Sequence, residues 1–508
     1  MLEDIINALE QGQEIRENLI RLKERIKEED GRKELLELLA DNSIFIGFLH
    51  REDPKIRKNA ALILGSYAVP EGTQVQENTA LMQENALRAL MEAYEGEETL
   101  FVRSDYLKAM QSFDCGAYRD RLQEHYQRLL KLDAAENEKK HIRKERRELE
   151  KLLRMGETGT FHPFCGYDLE SEVILTTDRG FSQITAEQIR AGRVAVSPGG
   201  VRVQTKNLKP LLKIRTFREI LFPIRTESFD LEAQDAAHKL LNGRMMELIE
   251  GHLEGEAPYY FRIQVLGNAS LDQDKKTDFI KKMSFALEEG SAYHLVNSKE
   301  HYEIELRLMQ NKEGRFRGYL RFMNLPPDRF AYRKNVLPVS IHPAQAALLL
   351  RLAKPYLKEE AAVLDPFCGV GTMLLEREQI LPARSLYGID IYGEAIRGAR
   401  ENTELAGAKI SYIQRDFFDF THRHRFDEIL TNMPVRGKKS KEEQDQLYQK
   451  FFDKAAAHLA KGGTIIMYTN ENGFVKKQLR LHQNLELLKE YCIRPKDGWF
   501  LFIIGSKE

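Results

Sequence analysis

Residues 363 to 372, Val-Leu-Asp-Pro-Phe-Cys-Gly-Val-Gly-Thr, pass from an apolar run into an acid and then a glycine loop, and this segment constrains the fold more than any other. An apolar strand over Ala361 to Leu364 would deliver Asp365 to the carboxyl edge of a parallel sheet, where open α/β folds keep their ligands. Gly369 and Gly371 remove side chains where the chain must turn tightly, and Thr372 opens a helix through Met373, Leu374 and Leu375. Taken alone, Gly-x-Gly is weak evidence, because ordinary turns and nucleotide sites also carry it, so the assignment depends on the residues downstream.

Tyr387-Gly-Ile-Asp390 reads as a second short strand ending in an acid. It lies about 25 residues after Asp365, near the roughly 20-residue separation at which a strand-end carboxylate reaches a ribose diol. A helical period (Ala395, Ala399, Leu405) leads to a third strand, Ser411 to Gln414, which ends at Arg415-Asp416. One such acid is well explained as a helix cap. Three at successive strand ends point instead to S-adenosylmethionine, with Asp365 toward its methionine end, Asp390 on the ribose and Asp416 on the adenine amino group. Phe367, Ile391 and Phe417, which lie beside these acids, join Gly369, Gly371, Thr372 and Asn432 in the candidate donor set.

A fourth strand from Phe426 runs into Asn432-Met433-Pro434, an Asn-x-Pro turn at the sheet edge. An exocyclic base amine is a poor nucleophile because its lone pair is delocalised into the ring. The Asn432 carboxamide oxygen and the Met433 carbonyl, fixed by Pro434, can accept its two hydrogens and hold the nitrogen in line with a methyl group at roughly 3 to 3.5 Å. Neither a metal nor a strong base is needed, and Asn432, Met433 and Pro434 are the candidate catalytic residues.

The run from Asp365-Pro-Phe-Cys-Gly-Val-Gly-Thr through Asn432-Met-Pro434 and Gly437-Lys-Lys439 resembles the RNA guanine-N2 methyltransferases whose catalytic domain follows a THUMP domain. Tyr332-Arg-Lys-Asn-Val-Leu-Pro-Val-Ser-Ile-His-Pro-Ala-Gln-Ala346 is similar to the segment that enters that domain, with Arg333, Pro338 and Pro343 at matching places. One departure is Val435, where the family usually places an aromatic to stack on the flipped base. Arg436 is an added residue whose planar guanidinium offers another stacking surface. Upstream, Tyr260 to Gly267, Asp278 to Leu287, Tyr302 to Leu308 and Gly318 to Phe322 give strand, helix, strand, strand, an order similar to a THUMP domain. The resemblance implies a Rossmann-like class I methyltransferase acting on structured RNA, tRNA first and rRNA next. Adenine-N6 methylation shares the Asn-x-Pro logic but generally wants the missing aromatic. A donor-binding RNA assembly factor without turnover is the reading from another class.

The chain has 508 residues, too many for one domain, and 42% hydrophobic content is ample for several cores. Its net charge of -1 means that an RNA must be met by local patches. One basic run holds Arg202, Lys206, Lys209, Lys213, Arg215 and Arg218 with no acid between them, and another extends from Arg315 to Lys334 against Asp328 alone. These favour phosphate contacts. Arg315, Arg317, Arg321, Arg333, Arg436, Lys438 and Lys439 are the candidate RNA contacts. Four cysteines without metal-ligand or disulfide spacing suggest a reducing compartment, with Cys368 a packing residue. With no signal-peptide pattern and no apolar run long enough to cross a bilayer, a cytoplasmic location is expected.

Asp53 to Gly65 resembles a HEAT repeat helix, and Glu84 to Leu90 with Phe101 to Met110 looks like a degenerate second pair. Such repeats form a surface for protein or RNA. The expected order is a HEAT-like α-helical repeat domain (1–133), a charged helical linker (134–158) stabilised by neighbouring opposite charges, an α+β THUMP-containing RNA-binding region (159–330) and an α/β methyltransferase domain (331–508).

Overall fold

A computed structural model describes residues 2–27, 42–68, 77–132, 137–154, 161–267, 272–325, 328–437 and 440–507, with isolated positions 31, 34, 35, 38 and 135. The chain divides into two compact units, Met1–Phe161 and His162–Glu508. No helix among the described residues is long and apolar enough to cross a membrane.

The first unit is helical: Leu2–Glu10, Ile15–Arg25, Ser43–Phe48, Pro54–Leu64, Glu77–Gly96, Leu100–Met110, Arg119–Lys131 and Lys139–Arg154. Pro54–Leu64 begins where the local chemistry dictates. The Asp53 carboxylate accepts the Lys55 N–H (2.8 Å), and Pro54 occupies a position whose N–H would be unused. Just beyond its end, Gly65 lies so close to the helix Leu100–Met110 that an added Cβ would sit 3.0 Å from the Ala109 Cα.

The helix Lys139–Arg154, expected as a solvated linker, is part of this core. Ile142, Leu149, Leu152 and Leu153 are buried. Buried Glu145 accepts from the Tyr94 hydroxyl (2.8 Å) and pairs with Arg103 (3.0 Å). The heavy charge content hid an amphipathic stripe whose apolar members recur at helical spacing.

The second unit opens with an eight-stranded sheet: β1 (Ser171–Thr176), β2 (Arg193–Ser197), β3 (Gly200–Thr205), β4 (Ile220–Pro223), β5 (Tyr259–Leu266), β6 (Leu295–Asn297), β7 (Ile304–Gln310) and β8 (Phe316–Phe322). The order is β2-β3-β1-β4-β8-β7-β5-β6. Strand β5 runs parallel to β6 and β7, and the remaining neighbours are antiparallel. Helices Ala233–Asn242 and Gln273–Gly290 share its core, setting Leu240, Met283 and Leu287 among Phe261, Leu306 and Leu308. The strand–helix–strand–strand series read from the sequence is present between Tyr259 and Phe322, with β6 as an additional short strand.

The second sheet contains β9 (Ala362–Asp365), β10 (Ser385–Asp390), β11 (Ser411–Gln414), β12 (Phe426–Asn432), β13 (Leu459–Thr469), β14 (Leu485–Arg494) and β15 (Trp499–Ser506). Its order is β11-β10-β9-β12-β13-β15-β14, the first five parallel and β15 antiparallel to both neighbours. Phe502, Ile503 and Ile504 are all buried, so β15 suits an inner position; β14 exposes Glu486 and Lys489 and suits an edge. Strand order reverses between β9 and β12. That switch point opens a crevice at the carboxyl edge and brings the ends of β9 and β12 to its rim. Helix Gly393–Leu405 buries Ala395 and Ala399, whereas Leu405, counted in the same stripe, is exposed at its end.

Candidate active site

Asp365 leaves β9 fully buried, and one of its oxygens accepts the Phe367 N–H (3.1 Å). Burial pushes its carboxyl up to about 8, against the pull of that hydrogen bond and with a further push from Asp390. A ligand ammonium placed against it would restore the charged form. The loop after Asp365 is stitched to β10: Cys368 N–H donates to the Ile389 carbonyl (2.9 Å) and Gly369 N–H to Asp390 Oδ2 (2.9 Å). Gly371 has φ +83°, and a Cβ there would come within 2.3 Å of the Tyr412 hydroxyl. Beside Gly369 a Cβ would meet nothing within 4 Å, leaving open space over the loop.

The other Asp390 oxygen accepts Tyr392 N–H (2.9 Å). Each carboxylate oxygen retains further acceptor capacity, so a diol can still be held. Ile391 beside it is exposed. Asp416 caps the turn Phe417–Asp419 through Phe418 N–H (2.9 Å), the structural role a lone acid can play, and keeps a second oxygen for a ligand. The Phe417 side chain is a core group, 5.9 Å from Phe367 between ring centres, so what it can offer a ligand is backbone. Thr372 Oγ1 is buried without a partner at the start of helix Thr372–Ile380. An orphan hydroxyl, open space over glycine, a buried carboxyl awaiting a cation and a diol acceptor together fit S-adenosylmethionine. Burial raises the Cys368 thiol, which therefore stays protonated and unreactive.

Asn432 ends β12 half-buried, and its carboxamide makes no hydrogen bond to any described residue. The loop behind it is firmly held. Met433 N–H donates to the Tyr468 carbonyl (3.0 Å), and Gln444 Nε2 donates to the Pro434 carbonyl (3.0 Å). Val435 and Arg436 are exposed beyond it, and Lys438 and Lys439 lie outside the described residues. Two braces escaped the sequence reading because a buried amide carries no local signature. One is Gln444; the other is Asn402, whose Nδ2 donates to Asn335 O (3.0 Å) and Val370 O (3.2 Å) and so ties the entering segment to the glycine loop.

The basic runs are less available than expected. Arg202 pairs with Glu172 (2.6 Å), Lys206 with Glu170 (3.8 Å), Lys209 with Asp168 (3.1 Å), Arg215 with Glu376 (2.7 Å) and Arg218 with Asp178 (3.0 Å). Their partners come from elsewhere in the chain, which a local charge count cannot reveal. Arg321 belongs to a network with Glu219 (3.3 Å) and Glu305 (3.6 Å), and partly buried Arg333 donates to the Ile341 carbonyl (3.2 Å). Arg315 stands 4.0 Å from Asp230, and Arg317 is exposed.

The strand order and the two loops at its switch point define a methyltransferase domain whose methyl donor is S-adenosylmethionine. Residues 331–494 match UPF0020, an RMKL-like methyltransferase domain. It is 32% identical over 133 residues to tRNA (guanine(10)-N2)-dimethyltransferase of Methanothermobacter thermautotrophicus, covering 26% of this chain and 38% of that one. It is also 32% identical over 119 residues to the U6 snRNA (guanine-N(2))-methyltransferase THUMPD2 of Bos taurus, covering 23% of each. The matches thus span well under half the length of these two relatives. TrmN from Thermus thermophilus shares the fold, with a TM-score of 0.51 and 22% identity over 66% of this chain and 99% of that one.

Proposed function

We propose that this protein methylates the exocyclic N2 of a guanine in a structured RNA, tRNA in the first place. The observation that carries this reading is the Asn432-Met433-Pro434 loop. It stands at the same sheet edge as the donor loop and keeps a carboxamide free of partners among the described residues. S-adenosylmethionine supplies a sulfonium methyl open to in-line attack. Asn432 Oδ1 and the Met433 carbonyl accept the two amine hydrogens, which orients the nitrogen lone pair toward that methyl. Gln444 and the Tyr468 carbonyl keep the loop from shifting. Asp365 faces the donor's ammonium, Asp390 its ribose and Asp416 its adenine, while Arg436 and Val435 frame the incoming base.

The names of the two guanine-N2 relatives support the choice of base, and one of them supports tRNA. The strand–helix–strand–strand series supports a THUMP-like RNA-binding role for residues 159–330, with Arg315 and Arg317 among its contacts. A HEAT-like repeat role for the helical unit, serving a protein partner in the cytoplasm, completes the reading. The test is incubation with unmodified tRNA, or rRNA, and methyl-deuterated S-adenosylmethionine, followed by nucleoside mass spectrometry. Labelled N2-methylguanosine is expected. Donor binding with no label in any guanosine would favour the non-catalytic assembly factor, for which Val435 in place of an aromatic is the supporting feature.

A further inference from the structure

Away from the donor loop, the second unit contains a cavity of about 840 Å³. Its floor is formed by the ends of two catalytic-domain helices, with Arg351 near the close of Pro343–Ala353 and Gln379 and Ile380 at the close of Thr372–Ile380. The donor loop lies at the opposite end of that second helix, about 12 Å along its axis. The rest of the lining comes from Tyr167, Gln188, the segment after β3 and Arg329. Five cations line the cavity (Lys209, Lys213, Arg215, Arg329 and Arg351), and no carboxylate does.

Two of the five are neutralised nearby, Lys209 by Asp168 and Arg215 by Glu376. The other three form no ion pair among the described residues. Arg351 donates to the Gln188 amide oxygen (2.9 Å), a neutral partner. Arg329 lies 3.7 Å over the Phe217 ring and donates only to the backbone carbonyls of Phe217 (3.1 Å) and Arg218 (3.3 Å), leaving its Nε buried and unpaired. Lys213 is exposed at the mouth. Burial and then the neighbouring Arg215 pull the Arg329 guanidinium down to about 10, against a smaller opposing pull from Glu376. A cation in the last turn of a helix complements its dipole, which accounts for Arg351 at the end of an 11-residue helix; Lys213 and Arg329 end only short turns of four and three residues. Guanidinium and ammonium groups lining one cavity are the donors that phosphate oxygens accept, and the cavity has room for a phosphate together with the sugar that carries it.

We propose that this cavity is a phosphate-binding pocket that seats one backbone phosphate of the RNA substrate. It rests on the proposal that the substrate is RNA and adds a contact point on the far side of the donor helix from the glycine loop. Fluorescence anisotropy with labelled tRNA tests it on the full chain, comparing wild type with Lys213→Glu/Arg351→Glu and with a charge-matched control, Lys409→Glu/Lys450→Glu, at exposed lysines outside both the cavity and the region proposed to bind RNA. The pocket variant is expected to bind about tenfold or more weakly, with a salt slope shallower by about one unit, while the control matches wild type. Thermal melting of each variant checks that it is folded.

A folded pocket variant with wild-type affinity and slope, or a control that loses as much, overturns the proposal. Wild type that binds no RNA overturns the RNA reading instead. A titration with inorganic phosphate then separates the sources: a rise in wild-type melting temperature absent from the pocket variant assigns the pocket to a free phosphate ligand, and no rise in either removes the pocket.

Discussion

Burial holds the Asp365 carboxyl near 8, whereas an unfolded chain would release that proton near 3.9. Between those values the folded chain binds one more proton than the unfolded chain, so this group's contribution to stability falls as pH rises from about 4 to about 8. Asp365→Asn removes the dependence. In the absence of donor it should melt higher than wild type at pH 8 and much the same at pH 4, and an equal gain at both values would refute the assignment. Donor binding should draw the carboxylate out. Calorimetry near pH 7 in buffers of different ionisation enthalpy should show proton release for wild type and none for the Asn variant. Asn432 is the complementary case, because its carboxamide is proposed to orient the base amine at the moment of transfer. Asn432→Ala should cut turnover roughly 100-fold while leaving donor affinity unchanged, a separation readable by single-turnover kinetics beside calorimetry. The positions of Asp365, Asp390 and Asn432 were legible in the sequence because each ends an apolar run. The protonation of Asp365 was not, since it depends on what packs around it.

Whole elements were legible where a short apolar run met a turn signal, as at β9 to β12. They were misread where charge outnumbered a narrow apolar stripe, as in Lys139–Arg154, and where partners lay far off in sequence, as for Arg215 and Glu376. Arg377 shows what such a distant partner does. It is wholly buried in the donor-loop helix Thr372–Ile380 and donates to Glu428 on β12 through Nε (2.7 Å) and Nη2 (2.8 Å). Glu428 also accepts Lys358 N–H (2.7 Å). The pair therefore pins the helix carrying the glycine loop to the strand carrying Asn432. Arg377→Met leaves Glu428 buried and unmatched, which should cost about 3–5 kcal/mol in urea unfolding. Adding Glu428→Gln removes that charge while keeping an acceptor for Lys358, so the double variant should be the more stable of the two. Equal loss in both would show that packing rather than charge matching dominates.

At the scale of the molecule, the two units have separate cores. One runs from Leu2 to Leu153, and the others lie wholly between Phe164 and Ile504. Every residue assigned to the donor falls in the second unit. No buried cluster crosses between the two units, whereas those of the second unit belong to one compact body, so two cooperative transitions are implied, since cooperativity follows shared burial. A ligand that binds one folded unit stabilises that unit alone, by about 2.7 kcal/mol at a hundred times its dissociation constant. Scanning calorimetry of the full chain should therefore resolve two transitions. Saturating S-adenosylmethionine should raise only one of them, and a fragment of residues 162–508 should reproduce that transition and its shift. A single transition that moves as a whole would mean that the helical unit and the catalytic unit fold as one, and the helical unit would then be a structural support of the methyltransferase rather than an independent module.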